Sequence, residues 1–168
     1  MKKITDIKEL SLESFRNFGT FSTFINPDRP HLGSFYRDME VLHTSHSTDI
    51  GFSMVSAMKR PFIITSLEHH SHTGEVIFPL DGDVLINVAA ATRHERIPAD
   101  IPIDNQEVFR IPKHTMVILH KGVWHSAPFA FGSDCVSIMV VTPERTYAND
   151  CFHYIFPEED KIEIEVIL

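Results

Sequence analysis

The sequence predicts an all-β protein, an antiparallel sandwich or barrel with one short helix near its N-terminus. Three observations carry this expectation. Apolar residues fall in many short strand-like runs, turn residues punctuate those runs closely, and no strand–helix–strand rhythm runs through the chain. The helix is signalled by Ser11, a good N-cap, with Leu12, Phe15 and Phe18 on one face and Gly19 placed to end it. Strands are expected at 20–25, 50–56, 62–68, 75–80, 83–90, 106–111, 115–120, 125–129, 135–141, 151–156 and 161–166. Asp81-Gly82, Lys121-Gly122, Phe131-Gly132-Ser133 and Asn149-Asp150 supply the turn chemistry between them. The last strand alternates Lys161, Ile162, Glu163, Ile164, Glu165 and Val166, one face inward and one outward. Residues 93–105 read as a loop over one end, and 26–48 as an irregular cover or edge.

With 168 residues, 43% hydrophobic and 23% charged, the chain is sized for one compact domain over 1–168 and is too apolar to be disordered. No run approaches the ~18 apolar residues of a membrane helix. Met1-Lys2-Lys3 has no apolar segment behind it, so no signal peptide is expected and the location expected is cytoplasmic. A net charge of −8 repels phosphate backbones and anionic lipid, which excludes nucleic acid and membrane as expected partners. It does not exclude an anionic small molecule, since one inward Arg or Lys would dominate its local field. Cys135 and Cys151 lack CxxC spacing and are expected as reduced thiols. Histidine is the unusual residue: there are eleven, with His69, His70 and His72 together and His114, His120 and His125 close behind one another.

Two segments carry chemistry. In Leu67-Glu68-His69-His70-Ser71-His72-Thr73-Gly74-Glu75, strand alternation lets Glu68 and His70 share a face, and a turn brings Glu75 back toward them. In His120-Lys121-Gly122-Val123-Trp124-His125, a glycine turn separates two histidines that can converge on one pocket. Imidazole with carboxylate is a ligand set for Zn, Mn, Fe or Ni, and an open position leaves room for a substrate.

The spacing of these segments resembles the cupin double motif, H-x-H-x(3,4)-E-x(6)-G followed by P-x-G-x-x-H. Glu68 stands at the first histidine, His70 at the second, Glu75 at the glutamate and Gly82 at the glycine; His120 replaces the proline, and Gly122 and His125 match. A closer resemblance is to the ureidoglycolate lyase family of small cupins. Leu67-Glu68-His69-His70 resembles its L-E-R-H-P, His120 to Phe129 its Y-H-x-x-V-W-H-x-P-L-F, Phe78-Pro79-Leu80-Asp81-Gly82 its F-I-P-x-x-G, and Leu12 to Gly19 its opening helix. The resemblance implies a double-stranded β-helix, or jelly-roll barrel. It also implies release of urea and glyoxylate from ureidoglycolate in allantoin catabolism, and a homodimer.

From the residues and the resemblance together, Glu68, His70, Glu75 and His125 are the expected ligands of a divalent metal, with no organic cofactor. Glu68, His120 and His125 are the catalytic candidates, and Lys121 and Trp124 the substrate-binding ones, although Trp124 alternates away from His125 and reads equally as core. His69 is expected in solvent and His72 in the turn. Two positions depart from the family. The strand near Met54 lacks the family's arginine, leaving Lys121, Arg93 and Arg110 as candidate carboxylate anchors, and Glu75 stands for a glutamine. Both changes make the pocket more acidic and better suited to a cation. Hence two other readings stand beside the lyase: a metal-dependent cupin acting on a sugar or sugar acid, and a non-catalytic small-molecule-binding cupin. The dimer is expected to use 26–48 or 161–166 along an edge.

Overall fold

The computed structural model describes residues 3–25, 27, 30–32, 34, 36–38, 40–45, 48–92, 100–160 and 162–165. Strand β1 (Lys3–Glu9) leads into helix α1 (Leu12–Phe15), then β2 (Gly19–Thr23), β3 (His31–Leu32), β4 (Tyr36–Arg37) and β5 (Ile50–Met58). Next come β6 (Ile63–Ile64), β7 (Ser66–His69), β8 (Glu75–Pro79), β9 (Asp83–Ala89), β10 (Glu107–Ile111) and β11 (Thr115–Leu119). The chain closes with β12 (Trp124–His125), β13 (Phe129–Phe131), β14 (Cys135–Pro143), helix α2 (Thr146–Asn149), β15 (Phe152–Ile155) and β16 (Ile162–Glu165). The all-β expectation holds.

Two open sheets form the body. The larger runs β15-β7-β12-β9-β10-β1-β16-β6 with β13 also on β9, and the smaller runs β2-β11-β8-β14-β5; β3 and β4 make a separate ribbon. Most pairings are antiparallel, but β1 lies parallel to both β10 and β16. β1 was not foreseen, because its alternating charges look like a solvated leader until those neighbours are known. Strand β16 sits between β1 and β6, so it is not the edge expected of 161–166.

Strand alternation divides the apolar residues among three cores. Val84, Ile86 and Val88 of β9 meet Val117 and Leu119 of β11 and Ile138 of β14, so the main core lies between the sheets. The intervening residues Leu85 and Ala89 join Leu67, Trp124 and Phe129 in a second core on the outer face of the larger sheet. Val76, Ile118 and Val141 form a small third core outside the smaller sheet.

Helix α1 plugs one end of the main core. Its N-cap Ser11 accepts from Ser14 N–H at 3.0 Å, and fully buried Phe15 packs edge-on to Phe109 at 5.0 Å. Burial of such a ring contributes about 1.5–3 kcal/mol. Leu12 departs from the expected face and is 79% exposed. Gly19 does not cap the helix; it begins β2, where a Cβ would lie 2.1 Å from the Ile118 carbonyl oxygen. That contact requires glycine.

Candidate functional site

The between-sheet space opens into a cavity of about 330 Å³ walled by both sheets. Its polar floor comes from the larger sheet and from the first residue of β8. Glu68 on β7 pairs directly with His125 on β12, so both side chains leave the sheet on the same face, the one that Val88 uses next along the row. His70 follows β7 immediately, and Glu75 enters from the start of β8 opposite Leu119. Opposite this floor, the inward residues Ile77, Ile138 and Val140 make an apolar wall.

One backbone hydrogen bond ties the two motif segments together, and Cys151, from outside both, adds a side-chain donor. Gly122 N–H donates to the His70 carbonyl at 2.7 Å, and Gly122 reaches that position with φ +74°, a left-handed value natural to glycine. Cys151 Sγ–H donates to Glu68 Oε2 at 3.4 Å. Burial, together with the Glu68 charge, pushes the Cys151 thiol up to about 12, so it stays a protonated donor. Cys135 and Cys151 are both free, as expected.

One ligand atom from each of His70, Glu75 and His125 lies within 4.8 Å of the others. Glu75 Oε2 is 2.9 Å from His125 Nε2 and 3.9 Å from His70 Nε2; Glu68 Oε1 is 3.8 Å from His125 Nε2. Both imidazoles are oriented from behind by carbonyls: His125 Nδ1 meets the Val123 oxygen at 3.0 Å and His70 Nδ1 the Asp150 oxygen at 2.7 Å. A carbonyl only accepts, so each Nδ1 carries the hydrogen and each Nε2 faces the cavity. His125 Nε2 is buried against Glu75 Oε2 at 2.9 Å, an ion-pair contact closed off from solvent. Burial would lower the His125 pKa, but the adjacent Glu75 and Glu68 charges raise it to about 9. Burial would raise Glu75, yet its two histidine neighbours draw it below its ordinary value. The chemistry of this donor set fits a divalent cation: two imidazole Nε2 atoms and a carboxylate converge, and a cation would take the place of the proton that His125 holds against Glu75.

Other residues singled out in the sequence lie elsewhere. His120 follows Leu119, an inward residue of β11, and therefore points outward into a separate pocket with His43 and Glu40; burial and His43 lower its pKa. Lys121 lines that pocket too and donates to Ser45 Oγ at 2.7 Å. Trp124 is fully buried in the outer core, turned away from the cavity, with its indole N–H on Thr92 Oγ1 at 3.1 Å. Arg110 is engaged by Asp83 and Glu9, and Arg93 lies outside the described residues. Met54 turns outward, while its neighbours Ser53 and Val55 line the cavity. His69 is not in solvent as expected: it is 1% exposed and packs against Trp124 at 4.3 Å and Phe152 at 5.5 Å. His72 does lie in the turn, half-exposed. Sequence reasoning missed Thr146 and Tyr147 of α2, which line the cavity, because nothing near them signals a site.

The model of the ureidoglycolate lyase family matches residues 2–165. The chain belongs to the ureidoglycolate lyase family. No curated protein matches it significantly. Among solved structures, it is similar to a 3,4-ketoisomerase from Thermoanaerobacterium thermosaccharolyticum in complex with TDP-4-keto-6-deoxyglucose, at 14% identity, 81% coverage of this chain, 86% of that chain and TM-score 0.47. It is similar also to a dTDP sugar isomerase from Desulfovibrio desulfuricans, at 12% identity, 84% and 83% coverage and TM-score 0.46. Oxalate decarboxylase from Bacillus subtilis is a third, at 15% identity, 70% of this chain, 29% of that one and TM-score 0.44. No helix among the described residues is long and apolar enough to cross a membrane.

Proposed function

We propose that the protein is a metal-dependent lyase that splits ureidoglycolate, or a closely similar small hydroxy acid, into urea and glyoxylate. The observation that carries this reading is the convergence of His70, Glu75 and His125 at the floor of a small-molecule-sized cavity, with Glu68 beside them. His70, Glu75 and His125 would hold the cation. When bound, it supplies positive charge for the substrate's carboxylate and hydroxyl, since no Lys or Arg among the described residues lines the cavity.

The chain's own part is proton transfer. Glu68 takes the proton of the substrate hydroxyl, whose oxygen becomes the aldehyde oxygen of glyoxylate as the carbon–nitrogen bond breaks. The bonding pair leaves with the urea nitrogen, and the now protonated Glu68 returns the proton there, so atoms and charge balance without water or an oxidant. Ile77, Ile138 and Val140 give this exchange an apolar wall on its far side.

The assay is urea and glyoxylate release by protein loaded with Mn²⁺, Zn²⁺, Fe²⁺ or Ni²⁺. Release well above the spontaneous rate supports the lyase; none with any of these cations contradicts it. The absence of a cationic side chain among the described lining residues also favours the second reading, a metal-dependent cupin acting on a sugar or sugar acid, which a panel of sugars and sugar acids with the same loaded protein would detect.

A further inference from the structure

One carboxylate just behind the site is unusually well used. Asp150 Oδ1 accepts from Ser71 N–H at 3.0 Å and meets His72 Nδ1 at 2.9 Å, while Oδ2 accepts from His72 N–H at 2.9 Å. The carbonyl of the same residue accepts from His70 Nδ1 at 2.7 Å. Asp150 does not itself line the cavity. It is held between two elements: its N–H closes α2 on the Thr146 carbonyl at 2.8 Å, and two residues later Phe152 pairs with His69 across β15 and β7.

These bonds form a closed arrangement. The side chain grips the main chain at 71 and 72, directly after His70, and that grip keeps the main chain of 150 against the His70 ring. Without it, two backbone donors lose their acceptor and the 70–72 turn is free to move off the carbonyl that sets the His70 tautomer. We propose that Asp150 is a positioning residue of the site, its carboxylate docking the 71–72 turn so that its own carbonyl holds His70 with Nε2 facing the cavity. This rests on the reading of His70 as a cation ligand.

The test compares Asp150→Ala and Asp150→Asn with Asp81→Asn. Asp81 is a structural counterpart: it grips Ser137 N–H at 2.8 Å and Ser137 Oγ at 2.7 Å, beyond the far end of β8 from Glu75. Two readouts are taken, Co²⁺ affinity and the ¹⁵N imidazole spectrum of the metal-free protein, which reports the His70 tautomer. Both Asp150 variants should lose about 10–100-fold in Co²⁺ affinity, the usual cost of removing an outer-shell partner, and should shift His70 away from the Nδ1–H form. Asp81→Asn should change neither. Should Asp150→Ala fail to fold, Asp150→Asn, which keeps one acceptor oxygen, decides. Unchanged affinity and tautomer in the Asp150 variants, or equal losses in Asp81→Asn, would overturn the inference. If the wild-type protein takes up no Co²⁺, the functional reading falls and the tautomer alone decides: a His70 that keeps Nδ1–H in the variants overturns the inference, and one that loses it supports it.

Discussion

Glu68 and His125 face each other directly across β7 and β12, and that one register pair joins the two motif segments into a single site. Cross-strand partners share a face, so a carboxylate and an imidazole that are distant in sequence come to lie 3.8 Å apart. Glu75 completes the floor from the opposing sheet, which makes the site a product of sheet packing as much as of strand spacing.

The role proposed for Glu68 separates from those proposed for His70, Glu75 and His125. Glu68→Gln should fold, retain the cation and lose about 10²–10⁴-fold in turnover, the usual contribution of a positioned acid–base group. Metal analysis beside a urea assay checks this; a variant that loses metal and turnover together would make Glu68 a ligand.

Motif residues outside the cavity should behave differently. Trp124→Ala should cost about 3–5 kcal/mol by emptying the outer core. The milder Trp124→Phe, like His120→Ala, should leave turnover within about threefold of wild type, an estimate that follows from position outside the cavity. Denaturant unfolding and steady-state kinetics measure both effects. A large KM increase in stable Trp124→Phe would place the indole on the substrate.

Asp83 gives the stability a defined acid limb. Burial would raise its carboxyl, but the Lys113 N–H at 2.9 Å and the Arg110 guanidinium at 2.7 Å outweigh that and lower its pKa. A depressed folded pKa contributes stability that is complete above the unfolded value near ~3.9 and is lost as pH falls through the folded value. The gap between wild type and Asp83→Asn should be about 1 kcal/mol at neutral pH, given partial solvent screening, and should close on acidification below about pH 4. A gap that does not change with pH would contradict this.

A homodimer is predicted along β5, an edge strand whose nine residues carry no charge and which exposes Phe52, Met54 and Met58. Two copies of a chain with net charge −8 repel except along such a strip, and a strand paired antiparallel with itself about a two-fold axis satisfies both edges. Light scattering should give twice 19.2 kDa at micromolar concentration, and Phe52→Glu with Met54→Lys should give the monomer. A wild-type monomer would rule the pairing out.

The all-β fold and the site's core were legible because strand alternation has a period of two. Alternation put Glu68 and His70 on one face, a turn brought Glu75 back toward them, and His125 came from its place in the second motif segment. His69 was misplaced because its surroundings, Trp124 and Phe152, come from strands distant in sequence and form a second core that no local pattern announces. His120 matched a motif position, yet it follows an inward leucine and so faces away. Asp150 looked like an ordinary turn residue, since its meaning lies in four bonds to residues about eighty positions earlier.

Metal content measured beside turnover, on untagged wild type and on Glu75→Gln, tests the proposed cation site most directly. Wild type should carry one divalent cation per chain and lose both urea release and thermal stability under chelator, recovering them on re-addition. Glu75→Gln should fold without the cation and without activity. A chelated, metal-free wild type that releases urea at the full rate would rule out a catalytic cation held by His70, Glu75 and His125.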